Sequence, residues 1–517
     1  LAPGTVADAR PPLPGALIDQ QWHLHNSGQS GGQPGEDLRA RTAWEILRGM
    51  GREPGAGVRV AVIDSAVDIQ HPALLANRIA DGSWDYRSGS AQDPLPCEPG
   101  DTGHGTSVAG IIAASPDRPD AGSGVAPRAG LVAFNALATR SDHDVADALN
   151  RDLDRNHIFH SSWGSADDGR LKRVSASFAD AIDRGLREGR GGLGALYVFP
   201  SGNGGCIRTE GGGLCTPDAD LSTYDGYLNH RGVLVACAVD HNGERPAWAE
   251  GGANLLVCGL SGPPRISAAD GDAGSIIAPH LEGLWRRDFT GASASAPMVS
   301  GVIALMLSAN PQLSARDVRI ILARSARRND PSNPGWQAGA AGGRAFHHAY
   351  GFGVADAAAA VDMARNWLSV GAEPGLLECS ASAKDQGVGF PQAIPDGVPE
   401  GLRLQLSLDG CEIRQIEYVE LRLDAPHAYS ADLRLELTSP AGTTSLLADQ
   451  RVVDRDRLCR TSQGTVTDCG GYDASWPIGT LRHLDEAAVG SWQLRIVDPL
   501  SGRSGQVDNW SLRIWGR

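Results

Sequence analysis

Three short segments set a carboxylate, an imidazole and a hydroxyl beside small residues: VAVIDSAVD around Asp64, DTGHGTSVAG around His104 and TGASASAPMVSG around Ser293. A serine hydroxyl becomes a nucleophile when an imidazole takes its proton. A carboxylate then holds that imidazole in one tautomer and stabilises its protonated form. Singly, each residue has an ordinary explanation. An Asp after a strand forms turns, a His between glycines lies on the surface, and a Ser opening a helix caps it. The three together, in the order Asp, His, Ser and each at the end of an apolar run, point to acyl transfer through a covalent intermediate.

Such groups need rigid elements behind them. Apolar runs at 58–64 (VRVAVID), 130–137 (GLVAFNAL), 157–163 (HIFHSSW), 195–202 (ALYVFPSG) and 233–239 (VLVACAV) read as strands buried on both faces. Stretches 143–155 and 174–189 carry apolar residues at helical spacing, and Ser314 with Asp317 opens another helix as a capping box. The alternation predicts a doubly wound α/β unit with a parallel sheet. Asp64 would then sit at the carboxyl edge of the sheet, where such folds place their sites. Ser293 opens an apolar helix whose first N–H groups suit a developing oxyanion. Two other motifs lack their context. Gly28-Gln29-Ser30-Gly31-Gly32 has the hydrolase-elbow spacing but follows no strand. Gly189-Arg190-Gly191-Gly192-Leu193-Gly194 has the dinucleotide spacing but precedes a strand.

The 517 residues are too many for one ordinary core, so two domains are expected. Acidic residues outnumber basic ones 61 to 46, for a net charge of −15. That surface repels nucleic acid and suits basic peptides, or simply keeps the chain soluble. No run of about 18 apolar residues occurs, so no membrane span is expected. The start, LAPGTVADARPPLPG, lacks a signal-peptide pattern and reads as a mature or trimmed chain. Nine cysteines favour an oxidising compartment, and the odd count leaves at least one thiol free in a monomer. Cys206 with Cys215, Cys459 with Cys469 and Cys379 with Cys411 are candidate pairs. Cys237 and Cys258 lie in apolar runs and read as buried, unreactive residues.

After Asn366 the texture changes to Gly/Pro-rich sequence, and then to period-two alternation at 418–426, 432–440, 491–499 and 510–516. That pattern predicts a small all-β sandwich or jelly roll. The expected organisation is an N-terminal extension at 1–19, the α/β unit at 20–367, a linker and first part of the β unit at 368–400, and the β sandwich at 401–517.

On these motifs the chain resembles the subtilisin-like serine proteases, and within them the kexin-like proprotein convertases. The likeness runs from QQWHLHNSG (20–28) to the C-terminus. It is most specific at SSWGSADDG (161–169), GRGGLGALYVFPSGNGG (189–205), YDGYLN (224–229), TGASASAP (290–297) and HHAYGFGVADA (347–357). The β region is similar to the P domain of that branch. The resemblance implies a secreted or periplasmic monomeric endopeptidase acting on proteins and peptides. It implies that Asn203 donates to the oxyanion, that Asp225 receives a basic P1 side chain with Tyr227 in the same segment, and that Asp101 lies near the P2 pocket. It also implies a Ca²⁺ held by Asp167, Asp220 and Glu250, and a pro-region or separate chaperone to assist folding.

Departures from the family pattern qualify this. A second Asp after the catalytic one is Ser65 here, and two P4-selecting acids align with Asn150 and Arg173. Strong P1, weakened P2 and little P4 selection are expected. The N-terminal calcium site is lost at Gly15 and Ala73. Asp85 and Asp93 partly match another, with Leu95 in place of its third acid. Ala292 stands where the family has Thr. The loop at 451–473 either packs near the catalytic unit or is solvated. The competing function is a catalytically impaired binding or adhesion protein.

Overall fold

A computed structural model describes residues 16–97, 101–118, 121–139, 141–208, 215–217, 219–262, 274–340, 343–451, 471–473 and 476–517. Six parallel strands form the central sheet, in the spatial order Gly130–Phe134, Arg59–Ile63, Ile158–Ser161, Leu196–Pro200, Val233–Val239, Leu255–Leu260. Nearly every residue of these strands is buried, which is why they read as unbroken apolar runs rather than alternating ones. The first strand in sequence has the second on one side and the third on the other. Connections therefore leave it in opposite directions and open a crevice at its carboxyl end. Asp64 follows that end directly.

The helix Ala292–Ala309 crosses this sheet and is buried along almost its whole length. Among the described residues it alone is long and apolar enough to cross a membrane. Here its apolar surface is spent on the core instead. The expected helix at 143–155 covers only Asp142–Ala148, and Asp152 beyond it has a positive φ of 53°. The Ser314–Asp317 capping box forms as expected.

The β unit is two four-stranded antiparallel sheets packed as a sandwich. Strands Arg434–Thr438, Ser491–Val497 and Asn509–Gly516 bury alternate residues, and Trp492, Leu494, Trp510 and Leu512 form its interior. Within the stretch read as linker and first part of the β unit, Leu377–Ser382 pairs along its full length with the last strand, Asn509–Gly516. The sandwich thus begins before residue 401.

The two units share a polar, buried seam. Arg316 and Glu417 form a bidentate ion pair at 2.6 and 2.9 Å, with 3% and 1% side-chain exposure. Tyr418 Oη donates to Asn229 O at 2.9 Å, and Thr223 Oγ1 donates to Leu447 O at 2.9 Å. Tyr224 Oη bridges the carbonyl and the N–H of Asp449, each at 2.9 Å. Both described ends of the 451–473 loop touch the catalytic unit: Arg451 bonds Gly169 O and lies over the Tyr224 ring, and Asp473 pairs with Arg173. The interior of that loop, with Cys459 and Cys469, lies outside the described residues.

Cys379 and Cys411 are bonded as expected. Cys206 is disulfide-bonded, while the side chain of Cys215 lies outside the described residues. Cys237 and Cys258 are a correction: they are buried but joined to each other. They stand opposite one another on adjacent parallel strands, 4.1 Å apart at Cα. Only the strand order makes them neighbours. Among the described cysteines Cys97 is free and exposed.

Candidate active site

The chain folds so that three elements converge on one edge. Asp64 ends the first strand, His104 opens the helix His104–Ala113, and Ser293 lies in the first turn of Ala292–Ala309. The helix can approach the strand because residue 105 has no side chain. A Cβ there would fall 2.2 Å from Ala66 O and 3.0 Å from Asp64 Cβ.

His104 Nδ1 faces the Asp64 carboxylate at 2.9 and 3.1 Å. The carboxylate is almost fully buried and also accepts from the Ser65 N–H at 2.8 Å and the Ser65 hydroxyl at 3.3 Å. Ser65 therefore anchors Asp64 instead of presenting a second carboxylate. Burial alone lowers the His104 pKa, but the charge and hydrogen bond of Asp64 outweigh it and the net displacement is upward. Ser293 Oγ donates to Ser162 O at 3.1 Å. No hydrogen bond joins Ser293 to His104 among the described residues, so the hydroxyl must turn from Ser162 to be activated. Bonds of this kind are commonly loose before substrate arrives.

Asn203 lies beside the nucleophile. Its Oδ1 accepts from the Ala292 N–H at 2.8 Å, which commits the acceptor end of the amide and leaves its NH₂ as a donor. This anchor is a backbone N–H, so the alanine at 292 retains it. The Ala292 methyl is fully buried against Ala238, Trp248 and Ala249.

A cavity of about 250 Å³ opens beside Ser293 and Asn203, and its lining includes Ser162, Gly164, Tyr224 and Asp225. Asp225 accepts from the Ser165 N–H at 2.8 Å, the Ser165 hydroxyl at 3.0 Å and the Tyr227 N–H at 2.9 Å. Burial pushes its carboxyl up against these bonds and the nearby Lys172 charge. An incoming cation would relieve that. The Tyr227 ring is not part of the cavity lining. It packs against Trp163, Phe178 and Phe199, and the Tyr227 N–H holds Asp225. Asp101 caps the Gly103 N–H at 2.9 Å beside His104 and lies outside the cavity lining.

Asp167, Asp220 and Glu250 also line the same cavity. Glu250 is pushed well up, by burial first and then by the charges of Asp220 and Asp167. Burial pushes Asp220 up to about 7. Gly202, with φ of 107°, passes so close that a Cβ would sit 2.2 Å from the Glu250 carboxylate. Among the described residues no group of three or more His, Cys, Asp or Glu side chains is already drawn together as a metal cluster. Asp167, Asp220 and Glu250 do form a crowded set of buried anions, which suits a hard divalent cation. Asp85 and Asp93 do not fit one. Asp93 pairs with Arg78 at 2.7 Å, and Asp85 accepts from Asn135, Gln92 and the Arg87 N–H.

A hydroxyl, an imidazole and a carboxylate gathered at the carboxyl edge of a doubly wound parallel sheet, with an amide beside the hydroxyl, make an arrangement of the subtilisin kind. The Subtilase family pattern matches residues 55–353, and the Proprotein convertase P-domain pattern matches 416–514. The chain belongs to the subtilase family and carries that P-domain. It is 34% identical over 506 residues to a dibasic-processing endoprotease of Schizosaccharomyces pombe, covering 97% of this chain and 65% of that protein. It is 31% identical over 530 residues to neuroendocrine convertase 2 of Drosophila melanogaster, covering 99% and 74%. Kexin of Saccharomyces cerevisiae is 29% identical over 518 residues, covering 100% and 58%. The chain thus spans 65% of the fission-yeast relative's length and 58% of kexin's. A solved structure of Aeromonas sobria serine protease with a chaperone superposes with a TM-score of 0.82, 27% identity, and coverage of 98% and 96%.

Sequence reasoning missed His160 and Ser300, which bond to each other and, through Ser162, connect to Ser293. The available signal was a histidine inside an otherwise apolar buried strand.

Proposed function

We propose that the chain is a secreted serine endopeptidase that hydrolyses peptide bonds through an acyl-enzyme and prefers Arg or Lys at P1. The observation that carries this is one cavity lined together by Ser293, Asn203 and Asp225. His104 takes the Ser293 proton as Oγ attacks the carbonyl, and the Asn203 amide and Ser293 N–H receive the oxyanion. The tetrahedral carbon then expels the amine, which takes the proton back from His104. Water, deprotonated by His104, attacks the ester; the second tetrahedral carbon expels Ser293 Oγ, which takes that proton from His104 as the acid product leaves.

Selection beyond P1 is weaker. Ser65 offers no second acid, Asn150 is neutral, and Arg173 is a cation paired with Asp473. Asp101, beside His104, gives residual P2 selection. Oxidised cysteines support export. The Aeromonas sobria complex supports a separate folding chaperone for this chain as well.

Peptides differing only at P1 test the specificity. Asp225→Asn keeps shape and removes charge, so kcat/KM for the Arg substrate is expected to fall about 10²–10³-fold. The Leu substrate should change little. Equal turnover of Arg and Leu substrates by the unaltered enzyme would end this reading.

We further propose that Asp167, Asp220 and Glu250 hold a Ca²⁺ that neutralises their crowded charges in the cavity wall. Chelation should lower the melting temperature by about 5 °C or more, with recovery on adding calcium. Glu250→Gln should abolish that calcium-dependent increment. A melting temperature indifferent to chelator would remove the metal.

A further inference from the structure

The nucleophile's own backbone is missing a helical partner. In an α-helix the Ser293 carbonyl would accept from the N–H of residue 297, but residue 297 is proline and has none. The carbonyl instead accepts from Ser162 Oγ at 3.2 Å. Ser162 therefore holds Ser293 twice, since its own carbonyl accepts the Ser293 hydroxyl at 3.1 Å.

The Ser162 hydroxyl is in turn held by His160, whose Nε2 lies 2.8 Å from Ser162 Oγ. His160 is fully buried in the strand Ile158–Ser161, two residues from Ser162 and so on the same face of the extended chain. Its other nitrogen, Nδ1, lies 2.8 Å from Ser300 Oγ. Ser300 is on the nucleophile helix, seven residues beyond Ser293, which is two turns along the same face. Strand and helix are thus tied by a closed chain of three side chains.

The proton positions follow. A carbonyl can only accept, so the Ser162 hydrogen is committed to Ser293 O. The His160 Nε2 must then be the N–H that donates to Ser162. Nδ1 keeps its lone pair and accepts from the Ser300 hydroxyl. This ordering requires a neutral ring, and burial does lower the His160 pKa, to about 3. Asp64 and His104 are the charged partners within electrostatic reach of the ring.

We infer that His160 is a positioning residue for Ser293: locked as the Nε2–H tautomer between Ser300 and Ser162, it aims the Ser162 hydroxyl at the carbonyl that Pro297 leaves unpaired. The nucleophile's turn is thereby fixed against the strand that carries the catalytic edge. A buried His–Ser pair is costly in a β-strand unless its bonds are made. Its geometric product is a nucleophile held to a fraction of an ångström, which is the tolerance that acyl transfer demands.

This inference rests on the protease reading, so the unaltered enzyme is first labelled by an active-site phosphonate and assayed per titrated site. If it is not labelled, the protease reading itself fails. Given labelling, His160→Leu and Ser162→Ala should each lower kcat per titrated site about 10- to 10²-fold with KM nearly unchanged. His160→Gln places an amide N–H near the Nε2 position and should restore most of the loss, whereas His160→Asn should not. Because the groups act in series, the His160→Leu/Ser162→Ala double variant should be no slower than the worse single one. The acid limb of the pH profile should stay in place, since Asp64 and His104 are untouched. If His160→Leu does not fold, Ser162→Ala decides. Unchanged kcat per titrated site in these variants, or fully additive losses, would overturn the inference and leave His160 as core packing alone.

Discussion

Ser293→Ala is expected to reduce kcat about 10⁶-fold while peptide binding survives. The size follows from removing the only atom that forms the acyl bond. His104 and Asp64 then have no proton to manage, and what remains is about 10³–10⁴-fold over water from the amide donors and the cavity. The substitution deletes one oxygen at a partly exposed position, so the fold should be unaffected. Two measurements check it: single-turnover hydrolysis of a P1-Arg peptide, and binding of the same peptide as an uncleaved ligand. Turnover within about tenfold of the unaltered enzyme would mean that another group supplies the nucleophile. Loss of binding together with turnover would mean that the cavity had been disturbed.

Asp64→Asn is the second large effect, about 10⁴-fold in kcat. The isosteric amide can still occupy the buried position, but it can donate as well as accept. It then favours the His104 tautomer with the proton on the wrong nitrogen. The pH profile carries the sign. His104 acts as a base only when neutral, so activity rises with pH through its pKa, which Asp64 displaces upward. Removing the carboxylate charge should move the acid limb to lower pH even as the plateau collapses. Stability runs the other way. A His with a raised folded-state pKa contributes most below its unfolded value, and that contribution disappears as pH rises through the folded value. In the pH window where the enzyme switches on, this pair therefore gives up some of its hold on the fold. A profile whose acid limb stays fixed in the Asn variant would separate His104 from Asp64.

How legible this was depended on whether a signal was local. Asp64, His104 and Ser293 stood out because each ends or opens an apolar element, and edge placement follows from that. The strands did so because burial on both faces leaves unbroken Val, Ile and Leu runs. The Cys237–Cys258 bond was invisible, since it needs the strand order to bring residues 21 apart in sequence face to face. Leu377–Ser382 falls in the stretch read as linker and first part of the β unit, and it could not be singled out as a strand because it is an edge strand with little burial and no alternation to announce it. The Tyr227 ring joins the aromatic packing of Phe178 and Phe199, a placement its sequence neighbours do not announce. His160 was hidden in plain view: its meaning depends on Pro297 and Ser300, which share no sequence neighbourhood with it.

The seam between the two units has a consequence for anyone who would re-engineer this enzyme. The cavity wall at Tyr224 is latched by the main chain of Asp449, and the neighbouring Thr223 by Leu447, both in the β sandwich. Transplanting the P1 loop from a subtilase without a sandwich would bring a wall with no latch. Transplanting the sandwich alone would bring a latch cut for another wall. Specificity here is modular only as a pair, so a library that varies residues 220–229 should co-vary 446–451 to keep its members folded and selective.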